Sequence, residues 1–197
     1  MGEEVLTQRF DDALAYASSV HRTQVRKGSN IPYVSHLLGV TSLALEIGAD
    51  EEQAIAALLH DAVEDQGGKP RLDDIRSRFG DRVAAIVSDC TDSWEEPKPK
   101  WRQRKEAYIA SLAKKHPDSL LVSLADKMHN ATAINADLAV HGPAVWERFT
   151  GGREGSLWYY SELATAFERR LPGAPAKRFQ ALVAEMHDMA EGPLLPR

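Results

Sequence analysis

The chain has 197 residues, 43% hydrophobic and 27% charged, which fits one domain burying roughly 70% of its unfolded surface and excludes wholesale disorder or a fibrous repeat. Lys and Arg number 24 against 29 Asp and Glu, a net charge of −5, so no broad cationic footprint marks nucleic acid as the main partner. No apolar run approaches the roughly 18 residues of a spanning helix, the N-terminal MGEEVLTQRFDDALAY has no apolar leader core, and the single cysteine, Cys90, cannot form an internal disulfide. The expectation is a soluble, unprocessed cytoplasmic protein without a membrane partner.

Apolar spacings of three and four residues dominate, and period-two runs are scarce, which predicts an all-α fold. A single helical domain is expected over residues 1–190, with a frayed tail at 191–197. The first helix is expected from Leu6 to Val25, stopped by the turn formers Lys27-Gly28-Ser29-Asn30-Ile31-Pro32. Ser35 reads as the N-cap of a second helix, HLLGVTSLALEIG, and Asp50 as the cap of a third, EEQAIAALLHDAVED, closed by Gln66-Gly67-Gly68-Lys69-Pro70. Shorter helices follow in LDDIRSRFG and DRVAAIVSDCTD, then SWEEPKPKW breaks the pattern as an expected mobile loop. Helical periodicity returns from Arg102 to Ala113, in SLLVSLADKMHNATAINADL, in REGSLWYYSELATAFERRL after Gly151-Gly152, and from Ala176 to Ala190. Amphipathic faces without an evident cover leave homodimerisation open.

Of seven histidines, His60 stands out, because AIAALLHDAVED is an apolar run that abruptly carries one imidazole and three carboxylates. Burying these groups unpaired would cost several kcal/mol. A divalent cation compensates them, since neutral imidazole and ionised carboxylate are the ligands that first-row metals prefer. His60 and Asp61 point about 100° apart on a helix, so further ligands must come from neighbouring helices. His36, at the start of the preceding helix, and Asp126, interrupting the stripe of Leu121, Leu124, Ala125 and Met128, are the candidates. Two histidines and two aspartates leave positions for water, as Mn²⁺ or Fe²⁺ would require. Glu64 and Asp65 lie one turn beyond His60 and Asp61 and could orient or deprotonate a cation-bound water.

His36, HDAVED from His60 to Asp65 and LADKMHN from Leu124 to Asn130, in that order, resemble the HD-domain metal-dependent phosphohydrolases. The resemblance is to the hydrolase domain of the RelA/SpoT homologues and their small stand-alone relatives, and includes Arg26-Lys27-Gly28 and Pro32-Tyr33-Val34-Ser35-His36. It implies an HD-type helical bundle holding one Mn²⁺ through His36, His60, Asp61 and Asp126, with Glu64 and Asp65 as the catalytic acids. It implies removal of the 3′-pyrophosphate of (p)ppGpp, with Arg26, Lys27, Asn130 and Tyr159 at positions that contact the nucleotide. Gln66 departs from the threonine common after the acidic pair.

Two other readings keep part of this pattern: an HD-type phosphatase of another nucleotide, such as NADPH or a nucleoside monophosphate, and a non-catalytic helical module that binds metal or nucleotide. His129 reads as a support for the site rather than a ligand, His187-Asp188 as a surface pair, and Cys90 as an inert, buried thiol. The basic cluster KPKWRQRK around Trp101 reads as a solvated loop, with recruitment of phosphates as its alternative role.

Overall fold

The computed structural model describes residues 5–92, 94 and 97–191; the expected tail beyond Glu191 and part of the SWEEPKPKW loop lie outside them. Among the described residues the fold is all-α, as expected, with one isolated antiparallel bridge between Val25 and Pro32. No described helix is long and apolar enough to cross a membrane.

Helix α1 spans Gln8–Val20, with the Thr7 side chain accepting from the Arg9 amide. It stops five residues short of the predicted end. The buried His21 ends it, donating its amide to the Ala17 carbonyl, stacking its ring on Tyr33 and bonding Gln24. Periodicity does not register such a partner. The chain then loops back, with Arg26 N–H to Ile31 O and Tyr33 N–H to Gln24 O at 2.9 Å each, and α2 runs Val34–Glu46. Ser35 is therefore inside the helix and not its cap; Tyr33 takes that position and makes no side-chain cap bond.

Asp50 caps α3 (Glu51–Leu59) as predicted, in a capping box with Gln53. The expected single helix through Asp65 is interrupted at His60-Asp61, and a one-turn α4 (Ala62–Asp65) follows. His60 Nδ1 donates to the Ala57 carbonyl at 2.8 Å, the acceptor that a continuous helix would pair with the Asp61 amide. Gln66 and the positive-φ Gly67 end α4, while Gly68, Lys69 and Pro70, expected in the closing turn, form the first turn of α5 (Gly68–Phe79), where proline is tolerated. Then come α6 (Asp81–Cys90), α7 (Trp101–Leu112), the 25-residue α8 (Pro117–His141), a 3-10 segment Gly142–Arg148, α9 (Gly152–Arg170) and α10 (Ala174–Glu191).

The apolar residues form two clusters, one built largely by α1–α6 and the other by α7–α10. Helix α8, about 37 Å long at 1.5 Å per residue, belongs to both. It gives Val122 and Ala125 to the first cluster and Leu124, Met128, Ala131 and Ile134 to the second. Asp126 thus sits on the seam between two cores, facing α2 and α3.

Asp50 also pairs with Arg82 at 2.7 Å, but both side chains are partly exposed, so the cap contributes more than the ion pair. Asp50→Ala is expected to lower stability by about 1–2 kcal/mol in urea unfolding, without altering the centre at the opposite end of α3.

Candidate metal centre and its cleft

Three helical elements bring the four predicted ligands together. His36 comes from α2, His60 and Asp61 from the break between α3 and α4, and Asp126 from α8. Asp61 Oδ2 lies 3.0 Å from His60 Nε2 and 3.4 Å from His36 Nε2; Asp126 Oδ1 lies 3.6 and 3.3 Å from the same atoms. The ligand atoms of His36, His60 and Asp126 are all within 4.8 Å of one another. Both Nε2 atoms are buried and have no hydrogen-bond partner among the described groups. Two buried imidazole nitrogens and two carboxylates facing one another at the wall of a cleft are the arrangement a divalent cation fits.

Each ligand is fixed by a further contact. The Tyr33 hydroxyl donates to Asp61 Oδ2 at 2.6 Å. Asp126 divides its oxygens: Oδ2 takes Lys127 Nζ at 2.6 Å, and Oδ1 takes Asn130 Nδ2 at 2.6 Å while facing the histidines. The Asp126–Lys127 pair and the ligand geometry therefore coexist. Arg26 donates to Asn130 Oδ1 at 2.9 Å, which makes a chain from Arg26 through Asn130 to Asp126. His36 Nδ1 lies 2.9 Å from His129 Nδ1, consistent with the supporting role expected of His129.

Burial opposes charge on all these groups, but their mutual attraction outweighs it. Asp61 and Asp126 beside it hold the His60 pKa well above the ordinary histidine value, and the histidines with Lys127 hold the two carboxyls well below theirs. A proton on His60 thus substitutes in part for a cation and competes with it.

Glu64 and Asp65 line the same lobe of the cleft as Asp61 and Asp126. Glu64 accepts from the Asp92 amide at 3.2 Å and from Lys98 Nζ at 3.0 Å. Asp65 Oδ2 accepts from Gln24 Nε2 at 2.7 Å. The other end of the Gln24 amide, Oε1, lies 2.8 Å from Gln66 Nε2 and 2.7 Å from His21 Nδ1, so Gln66 buttresses the contact to Asp65. Burial, and then the Asp61 charge, raise the Asp65 pKa above the usual carboxylate value.

This lobe, of about 510 Å³, adjoins a second of about 850 Å³, and Lys27, Asp65, Trp101, Lys105, Lys127 and Phe149 line both. Arg26, Lys27, Asn130 and Tyr159 all line the larger lobe, so the structure gathers every predicted nucleotide-contacting residue into one cleft. Six cations, Arg26, Lys27, Arg104, Lys105, Lys127 and Arg148, line the two lobes together with six carboxylates, Asp61, Glu64, Asp65, Asp92, Asp126 and Asp137.

Sequence reasoning missed Gln24 as part of this wall, whereas Trp101 and Lys105 belong to the KPKWRQRK cluster, read from the sequence as a solvated loop with recruitment of phosphates as its alternative role. The KPKWRQRK segment is not simply solvated. Trp101 packs where Cβ atoms at Gly151 and Gly155 would lie within 2.5 and 3.1 Å of its ring, and Lys105 and Arg104 both bond the buried Asp92. Two glycines four residues apart, Gly151 and Gly155, were the signal for the Trp101 seat. Cys90 is half-buried, with its thiol pKa raised by burial, and lines the smaller lobe beside Ser123. His187 bonds Ser161 on α9 and lines neither lobe.

A helical bundle with a His/Asp centre on three elements defines the class, and the sequence matches the HD domain family over residues 13–157; the chain belongs to this family. It is 36% identical over 142 residues to a Drosophila melanogaster protein named guanosine-3′,5′-bis(diphosphate) 3′-pyrophosphohydrolase MESH1, covering 70% of this chain and 74% of that one. It is 35% identical over 128 residues to a GTP pyrophosphokinase of Streptomyces coelicolor, covering 62% of this chain but only 14% of that protein. A solved structure of a metazoan orthologue of SpoT, described as hydrolysing ppGpp and acting in starvation responses, superposes with a TM-score of 0.72 at 28% identity, covering 97% of each chain.

A first-row divalent cation at about 100 times its Kd is expected to stabilise the protein by about 2.7 kcal/mol, a rise in Tm of roughly 5–10 °C at this chain length. Because the proton on His60 competes, the rise should be larger at pH 8 than at pH 6. His60→Ala or Asp126→Ala should abolish it in a thermal-shift titration.

Proposed function

We infer that this chain is a (p)ppGpp 3′-pyrophosphohydrolase that uses Mn²⁺, held by His36, His60, Asp61 and Asp126, and releases GDP or GTP together with pyrophosphate. The observation that carries this reading is the pair of buried, unpartnered imidazole nitrogens facing Asp61 and Asp126, with Glu64, Asp65 and the cations Lys27, Lys105 and Lys127 lining the same lobe. The family and the activity named for the Drosophila relative support it.

When bound, the cation supplies Lewis acidity at a phosphate oxygen and acidifies a water. The chain's own groups do the rest. Glu64 and Asp65 orient the attacking water and accept its proton, and the raised pKa of Asp65 makes it a stronger base than an exposed carboxylate. As the new bond from the water oxygen to phosphorus forms, the bond from that phosphorus to the ribose 3′-oxygen breaks, and the proton accepted by the acidic pair is returned to the departing 3′-oxygen. Lys27, Lys105 and Lys127, which line both lobes, offset the charge of the pyrophosphate. Arg26 and Asn130 hold the nucleotide beside the centre, and the buried Tyr159 lines the larger lobe.

With Mn²⁺, the purified protein should convert ppGpp to GDP and pyrophosphate, and Glu64→Gln should lower the rate by about 10²–10⁴-fold while keeping the cation-induced rise in Tm. Orthophosphate as the released product, or no turnover, would remove the substrate assignment.

The hydrogen bond from Gln24 lowers the Asp65 pKa and partly opposes its burial. Gln24→Leu should therefore raise that pKa further and move the acid limb of kcat/KM to higher pH. Gln66→Thr, which removes one of the donors that orient Gln24, should move the limb the same way by a smaller amount.

A further inference from the structure

We propose that His129 is a positioning residue that selects the cation-binding tautomer of His36. The two Nδ1 atoms stand 2.9 Å apart, and a hydrogen bond between them holds one hydrogen. If His36 carries it, His36 Nε2 is a bare lone pair facing Asp61 and Asp126. If His129 carries it, the neutral His36 is protonated at Nε2 and cannot act as a ligand. The companion ligand has no such ambiguity, because His60 Nδ1 faces the Ala57 carbonyl, which can only accept. His36 instead depends on an imidazole that can donate or accept, so the state of His129 decides whether the second nitrogen ligand exists.

Gly39 makes the contact sterically feasible. It lies on α2 one turn from His36, and a Cβ there would lie 2.2 Å from His129 Nε2. No shift of a rigid, packed imidazole by a few tenths of an ångström relieves such an overlap. The absent side chain lets the ring approach α2 edge-on, with its far nitrogen beside residue 39 and its near nitrogen on His36. His129 also lines the larger lobe, and with its one ring hydrogen on Nε2 its Nδ1 is the acceptor. The proposal rests on the metal site inferred above but not on its substrate.

The test is Mn²⁺ affinity of the full chain by isothermal titration, with Co²⁺ absorption as a report on ligand number and no nucleotide present. His129→Leu keeps bulk and removes the acceptor; His129→Asn keeps an acceptor near the Nδ1 position. Leucine should weaken Mn²⁺ binding about 10–100-fold and asparagine no more than about threefold, with the metal-free Tm unchanged in both. Gly39→Ala, which displaces the ring, should weaken binding like leucine, and Gly39→Ala combined with His129→Leu should be no weaker than His129→Leu alone. Wild-type affinity in His129→Leu, an equal loss in His129→Asn, or additive losses in the double variant would overturn the proposal. Should His129→Leu not fold, Gly39→Ala against His129→Asn reads the same contact. Failure to hydrolyse ppGpp would leave this result standing, because the titration contains no nucleotide.

Discussion

Two carboxylates and two imidazole lone pairs held face to face where a helical bundle opens into a cleft repel one another unless a positive charge sits among them, and much of the molecule is arranged around that constraint. Helix α3 is interrupted where His60 turns its Nδ1 onto the Ala57 carbonyl. The Tyr33 hydroxyl, Asn130 and Lys127 each place a donor on an aspartate that would otherwise be short of partners. Each of these contacts satisfies one lone pair or proton, which is what makes buried charge tolerable. What they leave unsatisfied is the inward-facing pair of Nε2 atoms. The residual demand is thus localised at one point, and it is met by a cation or, incompletely, by a proton on His60.

Placing that point at the seam between two apolar clusters has a mechanical consequence. Helix α8 is held on one side by the α1–α6 cluster and on the other by α7–α10, so Asp126 is immobilised by packing that owes nothing to the centre itself. The cleft opens along the same seam, where the loop from Gln24 to Tyr33, the start of α7 and the 3-10 segment meet. The cleft wall thus combines side chains on helices, Lys105, Lys127, Asn130 and Tyr159, with side chains on the adaptable connections, Arg26, Lys27 and Arg148.

The all-α class, the spans of the long helices and the grouping of His36, His60, Asp61 and Asp126 were legible because each leaves a local trace: spacing, a capping aspartate, or charge inside an apolar run. The ends of elements were not. The predicted helix to Val25 overshoots because His21 answers to Tyr33 and Gln24, and the predicted Ser35 cap fails because Tyr33 opens α2 while its hydroxyl serves Asp61. Both errors come from side chains whose partners lie elsewhere in the chain. The same limit hid Gln24 and Gln66, which are 42 residues apart yet share one hydrogen bond, and the seat of Trp101, which is defined by glycines some 50 residues on. Periodicity reports which face of an element is buried, not which polar atom it meets there.

Gln66 shows how a departure from a family pattern can be absorbed. It does not touch the centre or Asp65. Its amide donates to Gln24 Oε1, a position also approached by His21, and this leaves Gln24 with only its NH₂ group to offer Asp65. The orientation of a side-chain amide is otherwise ambiguous, since its two ends are nearly the same size. With one end committed to Gln66 and His21, the other is a dedicated donor to a carboxyl that burial pushes toward its neutral form. The residue after the acidic pair thus acts on the charge state of Asp65 by way of Gln24.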